Sequence, residues 1–178
     1  RFNKIDINDP LVYKFLNQAV TEGVFQFGSS GMRRMLKILK PQNIEDLSAL
    51  NALYRPGPLG AGMHKEIAKA KKKKSYGKGL WDKKILPLVE DIIAVTDYQI
   101  LYEEQTMLIG KTIADYSDED LNDFRKFLKK PKRDAKFFAN QKRFYDAFMI
   151  NGKRKGISEK SLQNVWDKLV EFSKYSSD

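Results

Sequence analysis

Apolar side chains recur along most of this chain at intervals of three and four, the spacing of one helix face. Leu11, Val12, Phe15, Leu16 and Ala19 form the first such stripe, over residues 11–20. Gly23 to Phe27 reads as a short extended piece. The Gly28-Ser29-Ser30-Gly31 turn then opens a helix from Met32 to Leu39, stopped by Pro41. Asn43 is a predicted N-cap for Ile44 to Leu53, with Glu45 and Asp46 in the first turn, where the helix dipole favours carboxylates. Arg55-Pro56-Gly57-Pro58 must leave the helix, because Pro56 pushes Arg55 out of the α region. Helix resumes over residues 62–72 and runs into Lys71–Lys74 and a loop at Gly77 and Gly79.

The second half repeats the style. A short helix is predicted from Ile85 to Asp91, and Ile92–Val95 with Tyr98–Tyr102 are candidates for two short paired strands. Glu103 to Ala114 is a helix with Met107, Leu108 and Ile113 as its inner positions. Ser117 caps Asp118 to Leu128, whose first turn carries Asp118, Glu119 and Asp120. Residues 134–150 form a helix with Phe137, Phe138, Phe144, Phe148 and Met149. Gly152 and Gly156 bracket a basic turn, and Ser158 caps a last helix over 159–174. The expected fold is mainly α, with helix over more than half of the residues and at most a small two-stranded β element. Without an internal repeat or a Ser/Pro-rich linker, residues 1–178 read as a single domain.

Composition narrows the function. Of the 178 residues 42% are hydrophobic, with 11 Phe, 8 Tyr and 2 Trp, enough for a core and against wholesale disorder. Cys is absent and His64 is the single histidine, which excludes a disulfide scaffold and a zinc site. No run approaches the ~18 apolar residues of a membrane span, and no signal peptide is visible, so a cytoplasmic location is expected. The first residue is Arg1 rather than Met, as expected of a fragment or a processed chain.

Charge is uneven. The net charge is +10. Residues 65–84 hold 9 Lys against Glu66 and Asp82, and residues 125–143 hold 9 Lys/Arg against Asp134. Between them, residues 85–124 carry 10 acids against Lys111. Two basic blocks around an acidic one suit a polyanion met by particular surfaces, although a lysine run is also an ordinary solvated face.

The scan for chemistry is mostly negative. No glycine-rich phosphate loop is present. Glu103 and Glu104 are adjacent, so they point about 100° apart on a helix and do not converge on one metal. Asp118, Glu119 and Asp120 read as first-turn carboxylates rather than a metal cluster. His64 reads as an ordinary surface histidine. What remains are cations beside rigid turns. Arg55 sits where Pro56 and Pro58 fix the backbone, which suits bidentate phosphate binding; a helix C-cap contact is the alternative. Arg125 and Lys126, then Lys129 and Lys130, span just over one turn, and Arg125 shares a face with Lys129. Cations at a helix C-terminus also suit its dipole.

Several segments resemble a known family. Glu22-Gly23-Val24-Phe25-Gln26-Phe27 with Ser29, Gly31 and Met32 resembles the GVFQLES-x-GM segment of the bacterial replicative DNA polymerase III alpha subunits, the C-family polymerases. Glu45-Asp46-Leu47 through Tyr54-Arg55-Pro56-Gly57-Pro58-Leu59 to Gly62-Met63 is similar to their ED-x-x-AL-x-AL-[FY]-RPGPL-x-x-GM segment. Ile100-Leu101-Tyr102-Glu103-Glu104-Gln105 with Met107 resembles ILYQEQ-x-M, and Asp123-Phe124-Arg125-Lys126 through Lys130 is similar to a diverged LRRAMGKKK. Order and rough spacing agree from about Ile5 to Tyr175.

The resemblance implies the helical fingers domain of such a polymerase, a fragment lacking the palm and its catalytic aspartates. It implies that Arg55, Arg125, Lys126 and Lys130 face the incoming nucleotide's triphosphate, and that Tyr102 and Gln105 position the site. Lys71, Lys72, Lys73, Lys74, Lys132 and Arg133, in the two basic blocks, are the expected primer-template contacts. The implied parent is a DNA-directed DNA polymerase whose palm binds Mg²⁺, with no cofactor in this piece, no polymerisation by the piece alone, and contacts to replisome components such as the sliding clamp through other regions. The rival reading is a non-catalytic helical nucleic-acid-binding or interaction domain.

Overall fold

Short polar side chains start five of the described helices in the computed structural model of the chain. The structure describes residues 4–129 and 135–175, and among these it holds eleven α-helices and no strand. The chain divides into two compact units, Arg1–Gly77 and Lys78–Asp178.

In the first unit, the Asp9 carboxylate accepts from the Leu11 N–H at 2.9 Å and Pro10 takes the first position of α1 (Pro10–Asn17). The Ser29 hydroxyl accepts from Met32 N–H at 3.2 Å to start α2 (Ser30–Leu39), which Lys40 closes in the left-handed region (φ 47°) before Pro41. Asn43 Oδ1 accepts from Asp46 N–H at 2.8 Å at the head of α3 (Ile44–Leu53), the cap expected. Then follow α4 (Pro56–Gly60) and α5 (Met63–Lys72). Helix α2 is the hub: it packs on α1, α3 and α5. Its Met32, Met35, Leu36 and Leu39 are buried with Leu16, Leu50, Leu53, Ile67 and Ala70.

Three expectations for this unit need correction. Helix α1 exists, but it turns Tyr13 and Leu16 inward and leaves Leu11, Val12 and Phe15 exposed. The Tyr13 hydroxyl donates to the Ile7 carbonyl at 2.6 Å, which fixes that rotation, and Ala19 lies beyond the helix in the left-handed region. Gly23 to Phe27 is a pair of turns rather than an extended piece, closed by Val24 N–H to Thr21 O (3.1 Å) and Phe27 N–H to Val24 O (3.2 Å). Gly77 and Gly79 belong to a short helix, α6 (Lys74–Gly79), and not to a loop; Gly77 is buried.

The second unit contains α7 (Leu86–Ile93), a 3-10 turn (Ala94–Thr96), α8 (Glu103–Ala114), α9 (Asp118–Lys129), α10 (Ala135–Arg154) and α11 (Glu159–Tyr175). Helix α8 packs on α7, α9 and α10. Ser117 and Ser158 act as the expected caps, accepting from Asp120 N–H (3.1 Å) and Ser161 N–H (3.2 Å). The core is aromatic: Phe124 lies 5.1 Å from Tyr116 and 5.3 Å from Phe144 between ring centroids, and Phe127, Phe148 and Trp166 complete the cluster.

The expected strand pair is absent. Ile92 and Ile93 end α7, and Asp97 and Tyr98 are both left-handed (φ 50° and 66°), a conformation no strand accepts. Gln105 takes the backbone groups a ladder would have used. On α8 the inward positions are Gln105, Thr106, Ile109 and Ile113, whereas Leu108 is exposed. On α10, Phe144, Phe148 and Met149 are buried as expected, Phe138 is exposed, and the side chain of Phe137 lies outside the described residues. Helix α10 also runs through Gly152, where an added Cβ would come within 2.3 Å of Leu162 Cδ2.

Candidate functional site

Arg55 is fixed by its neighbours. Its backbone is extended (φ −133°, ψ 152°), as a residue before proline must be. Its N–H donates to Leu53 O at 2.8 Å and its carbonyl accepts from Leu59 N–H at 3.1 Å, so the α3–α4 junction is tied on both sides. Tyr54 packs so closely on Gly31 that a Cβ there would meet its hydroxyl oxygen at 2.0 Å. The Arg55 side chain is exposed and makes no ion pair or hydrogen bond among the described residues. A guanidinium presented without a carboxylate partner on a braced backbone is suited to an anion from outside.

The lysine run divides. Lys71 is 2.7 Å from the Asp46 carboxylate, and both side chains are largely covered, so it braces α5 to α3. Lys72, Lys73 and Lys74 are exposed. Packing of α2 on α5 adds cations from elsewhere in the sequence. Lys37 and Lys40 at the end of α2 share with Lys71 and Lys72 an open groove of about 550 Å³, which Ile38 and Ala68 also line. Nothing in the lysine run itself signalled Lys37 and Lys40, because the joining contact is tertiary.

In the second unit, the cations of α9 are organised by one carboxylate. Glu103, first residue of α8, accepts from Arg125 Nε–H through Oε1 and pairs with Lys129 Nζ (2.9 Å) through Oε2. Burial pushes the Glu103 carboxyl up, but the hydrogen bonds and charges of Lys129 and Arg125 outweigh it and hold the group below the ordinary carboxylate range. Lys126 lies 3.4 Å from Asp123 on its own helix and is mostly exposed. Arg125, Lys126 and Lys129 therefore sit together on the last turns of α9. Sequence reading weighed Glu103 only as a metal ligand and missed this bridge, which spans 22 positions.

Gln105 is buried at the start of α8. Its Oε1 accepts from Leu101 N–H (2.8 Å) and Tyr102 N–H (3.0 Å), and its Nε2 donates to Ile92 O (2.9 Å) and Thr96 Oγ1 (2.7 Å). Tyr102 is half-buried beside it. Arg55 and Lys71–Lys74 belong to the first unit, and Arg125, Lys126, Tyr102 and Gln105 to the second. Lys130, Lys132 and Arg133 lie outside the described residues.

The acidic trio serves the helix. The Asp120 carboxylate accepts from the Ser117 N–H and hydroxyl and pairs with Arg143, and Asp118 pairs with Lys111 (3.0 Å). No group of three or more His, Asp or Glu among the described residues could hold a metal ion. His64 is half-buried rather than on the open surface, with Nδ1 enclosed. No helix among the described residues is long and apolar enough to cross a membrane.

Comparison with known proteins gives the family. Residues 1–152 match the family model described as the bacterial DNA polymerase III alpha subunit finger domain. The DNA polymerase III subunit alpha of Aquifex aeolicus is 33% identical over 175 residues, covering 98% of this chain and 14% of that protein. That of Treponema pallidum is 34% identical over 171 residues, and that of Mycobacterium tuberculosis 31% over 172, covering 96% and 97% of this chain. Each alignment spans 14% of the relative's own length. On the match over residues 1–152, the chain belongs to the bacterial DNA polymerase III alpha subunit finger domain family.

Proposed function

We propose that this chain is the part of a replicative DNA polymerase that binds the triphosphate of the incoming deoxynucleotide and the backbone of the primer-template. Arg55, Arg125, Lys126 and Lys130 are the residues that the family resemblance assigns to the triphosphate. Lys72, Lys73 and Lys74, with Lys132 and Arg133, meet DNA phosphates. Tyr102 and Gln105 position α8. The observation that carries this reading is Arg55: within the segment similar to RPGPL, its guanidinium is exposed and lacks a partner among the described residues.

Phosphoryl transfer leans on positioned cations that meet charge on the phosphates, so Arg and Lys can matter without moving a proton. A guanidinium offers a planar fork to two phosphate oxygens, whereas Lys126 offers a point charge. Mg²⁺ would supply metal chemistry from carboxylates elsewhere in the parent, which is why the piece alone would not polymerise. Sliding-clamp and other replisome contacts would likewise belong to other regions.

The test is Arg55→Ala in the parent polymerase. Removal of one charge-assisted phosphate interaction, about 1.5–3 kcal/mol, lowers nucleotide efficiency roughly ten- to a hundredfold. Primer-template affinity and melting temperature should change far less. Normal nucleotide efficiency in the folded variant would overturn the assignment.

A further inference from the structure

Glu103 divides its two carboxylate oxygens between two cations of α9. Oε1 accepts from Arg125 Nε–H, and Oε2 lies 2.9 Å from Lys129 Nζ. The carboxylate is largely covered, its side chain only 21% exposed, and both of its oxygens are engaged. A guanidinium has five N–H donors, and the one Glu103 uses is Nε–H. Nη1 and Nη2 of Arg125 have no hydrogen-bond partner among the described residues, and the side chain is half exposed. The pair Nη1/Nη2 forms the end-on edge of the fork, the edge that can meet two oxygens of one phosphate. Glu103 occupies the other side.

We propose that Glu103 is a positioning residue, which grips Arg125 by Nε so that its Nη1/Nη2 edge is presented, already ordered, to the anionic oxygens of a nucleotide triphosphate. Lys129 is held beside it by the same carboxylate. This inference rests on the reading of Arg125 as a triphosphate contact and adds the residue that aims it. An unrestrained arginine must order four side-chain torsions on binding; Glu103 orders them beforehand, which removes part of that cost from the binding step.

Orientation and simple charge make opposite predictions. Glu103→Gln makes the end of α9 more positive by one charge, so a field effect alone tightens anion binding. Loss of aim weakens it. Glu103→Asp keeps the charge but shortens the side chain by one methylene, so any weakening there is geometric.

The experiment titrates inorganic tripolyphosphate into the 178-residue chain by calorimetry, with thermal melts of each variant and the Arg125 Nε–H signal followed by NMR. The expected result is a wild-type Nε–H protected from exchange and binding weakened about three- to tenfold in both Glu103→Gln and Glu103→Asp. Arg125→Ala should bind more weakly still, and adding Glu103→Gln to Arg125→Ala should cost nothing more. If Arg125→Ala weakens binding while both Glu103 variants bind as wild type or tighter, the positioning role is overturned and the Arg125 contact survives. A lowered melting temperature with unchanged affinity in the Glu103 variants likewise overturns the positioning role. If Arg125→Ala binds as wild type, the triphosphate reading of Arg125 fails and this inference fails with it.

Discussion

The side-chain nitrogen of Gln105 donates to the hydroxyl of Thr96 across 2.7 Å, and both residues are buried. Thr96 passes the connection on to Gln99 O at 2.6 Å, so one glutamine secures the whole segment between α7 and α8. Gln105→Ala leaves Leu101 N–H, Tyr102 N–H and Ile92 O without their side-chain partner. Buried groups left unpaired cost roughly 1–3 kcal/mol each, so we expect a loss of about 3–5 kcal/mol after partial relaxation. Trp81 and Trp166 both lie in the second unit, so the tryptophan-fluorescence midpoint in urea reads that unit directly. An unchanged midpoint would remove the structural role assigned to Gln105.

This segment also marks where sequence reading stops. Tyr98, Ile100 and Tyr102 alternate as a strand does, and the β-rich residues there invite a hairpin. What decides otherwise is the left-handed pair Asp97–Tyr98 and the reach of Gln105 to Ile92, thirteen positions back. Local signals fared better: Asn43, Ser117 and Ser158 cap as their chemistry requires, and Pro56 forces Arg55 into extended backbone. The mainly helical fold and the family followed from such local segments. The face of α1, the Glu103 bridge and the joining of Lys37 with Lys71 are tertiary facts, set by which helices pack together, and periodicity carries no record of them.

Gly110 makes close packing possible at the centre of α8. A Cβ there would lie 2.9 Å and 3.0 Å from the Tyr116 ring and 3.4 Å from Phe124. The ring cannot swing aside, because the Tyr116 hydroxyl donates to Phe144 O at 2.6 Å in a buried site. Alanine gains up to about 1 kcal/mol of helix propensity over glycine, but overpacking costs about 1–3 kcal/mol. Gly110→Ala should therefore destabilise the second unit by up to about 2 kcal/mol in urea unfolding. Gly60→Ala, with open space around its Cβ, should be within about 1 kcal/mol of wild type. Equal outcomes would contradict the packing argument.

Stability of the second unit should fall in acid. Asp120 is held below the ordinary carboxylate range first by the Ser117 hydroxyl, against the opposing effect of burial, and then by the Ser117 N–H and Arg143. Glu103 is lowered by Lys129 and Arg125 against its burial, and Asp82 is lowered first by the Lys84 N–H and then by the Ser161 hydroxyl. A carboxyl lowered in the fold binds fewer protons there than in the unfolded chain at the same acidic pH. Its contribution is complete above the unfolded value, about pH 4, and is lost as pH falls through the folded one. Urea midpoints should be level from about pH 7 to 5 and drop below about pH 4. Asp120→Asn should lower stability at neutral pH and make the acid slope shallower. An unaltered acid slope in that variant would mean that Asp120 titrates alike in both states.

We expect the lysines to separate into braces and phosphate ligands, and salt dependence would tell them apart. A cation that neutralises a DNA phosphate releases a counterion, and each neutralised phosphate contributes about 0.9 to the slope of log affinity against log salt. Lys72, Lys73 and Lys74 are exposed, so their joint replacement by alanine should flatten the slope for a short duplex by up to about 0.9 for each phosphate no longer neutralised. Lys37→Ala with Lys40→Ala should flatten it too, because those side chains line the same α2–α5 groove as Lys72. Lys71→Ala should behave differently. Its ammonium is engaged 2.7 Å from Asp46 under substantial cover, so its removal should lower the melting temperature and leave the slope nearly as it was. Affinity across duplexes of different sequence should fall together in every lysine variant, since phosphate contacts carry no base information. A slope that drops fully with Lys71→Ala and not with the exposed trio would reverse the assignment: the run would then be a solvated helix end, and Asp46 a competitor that DNA displaces.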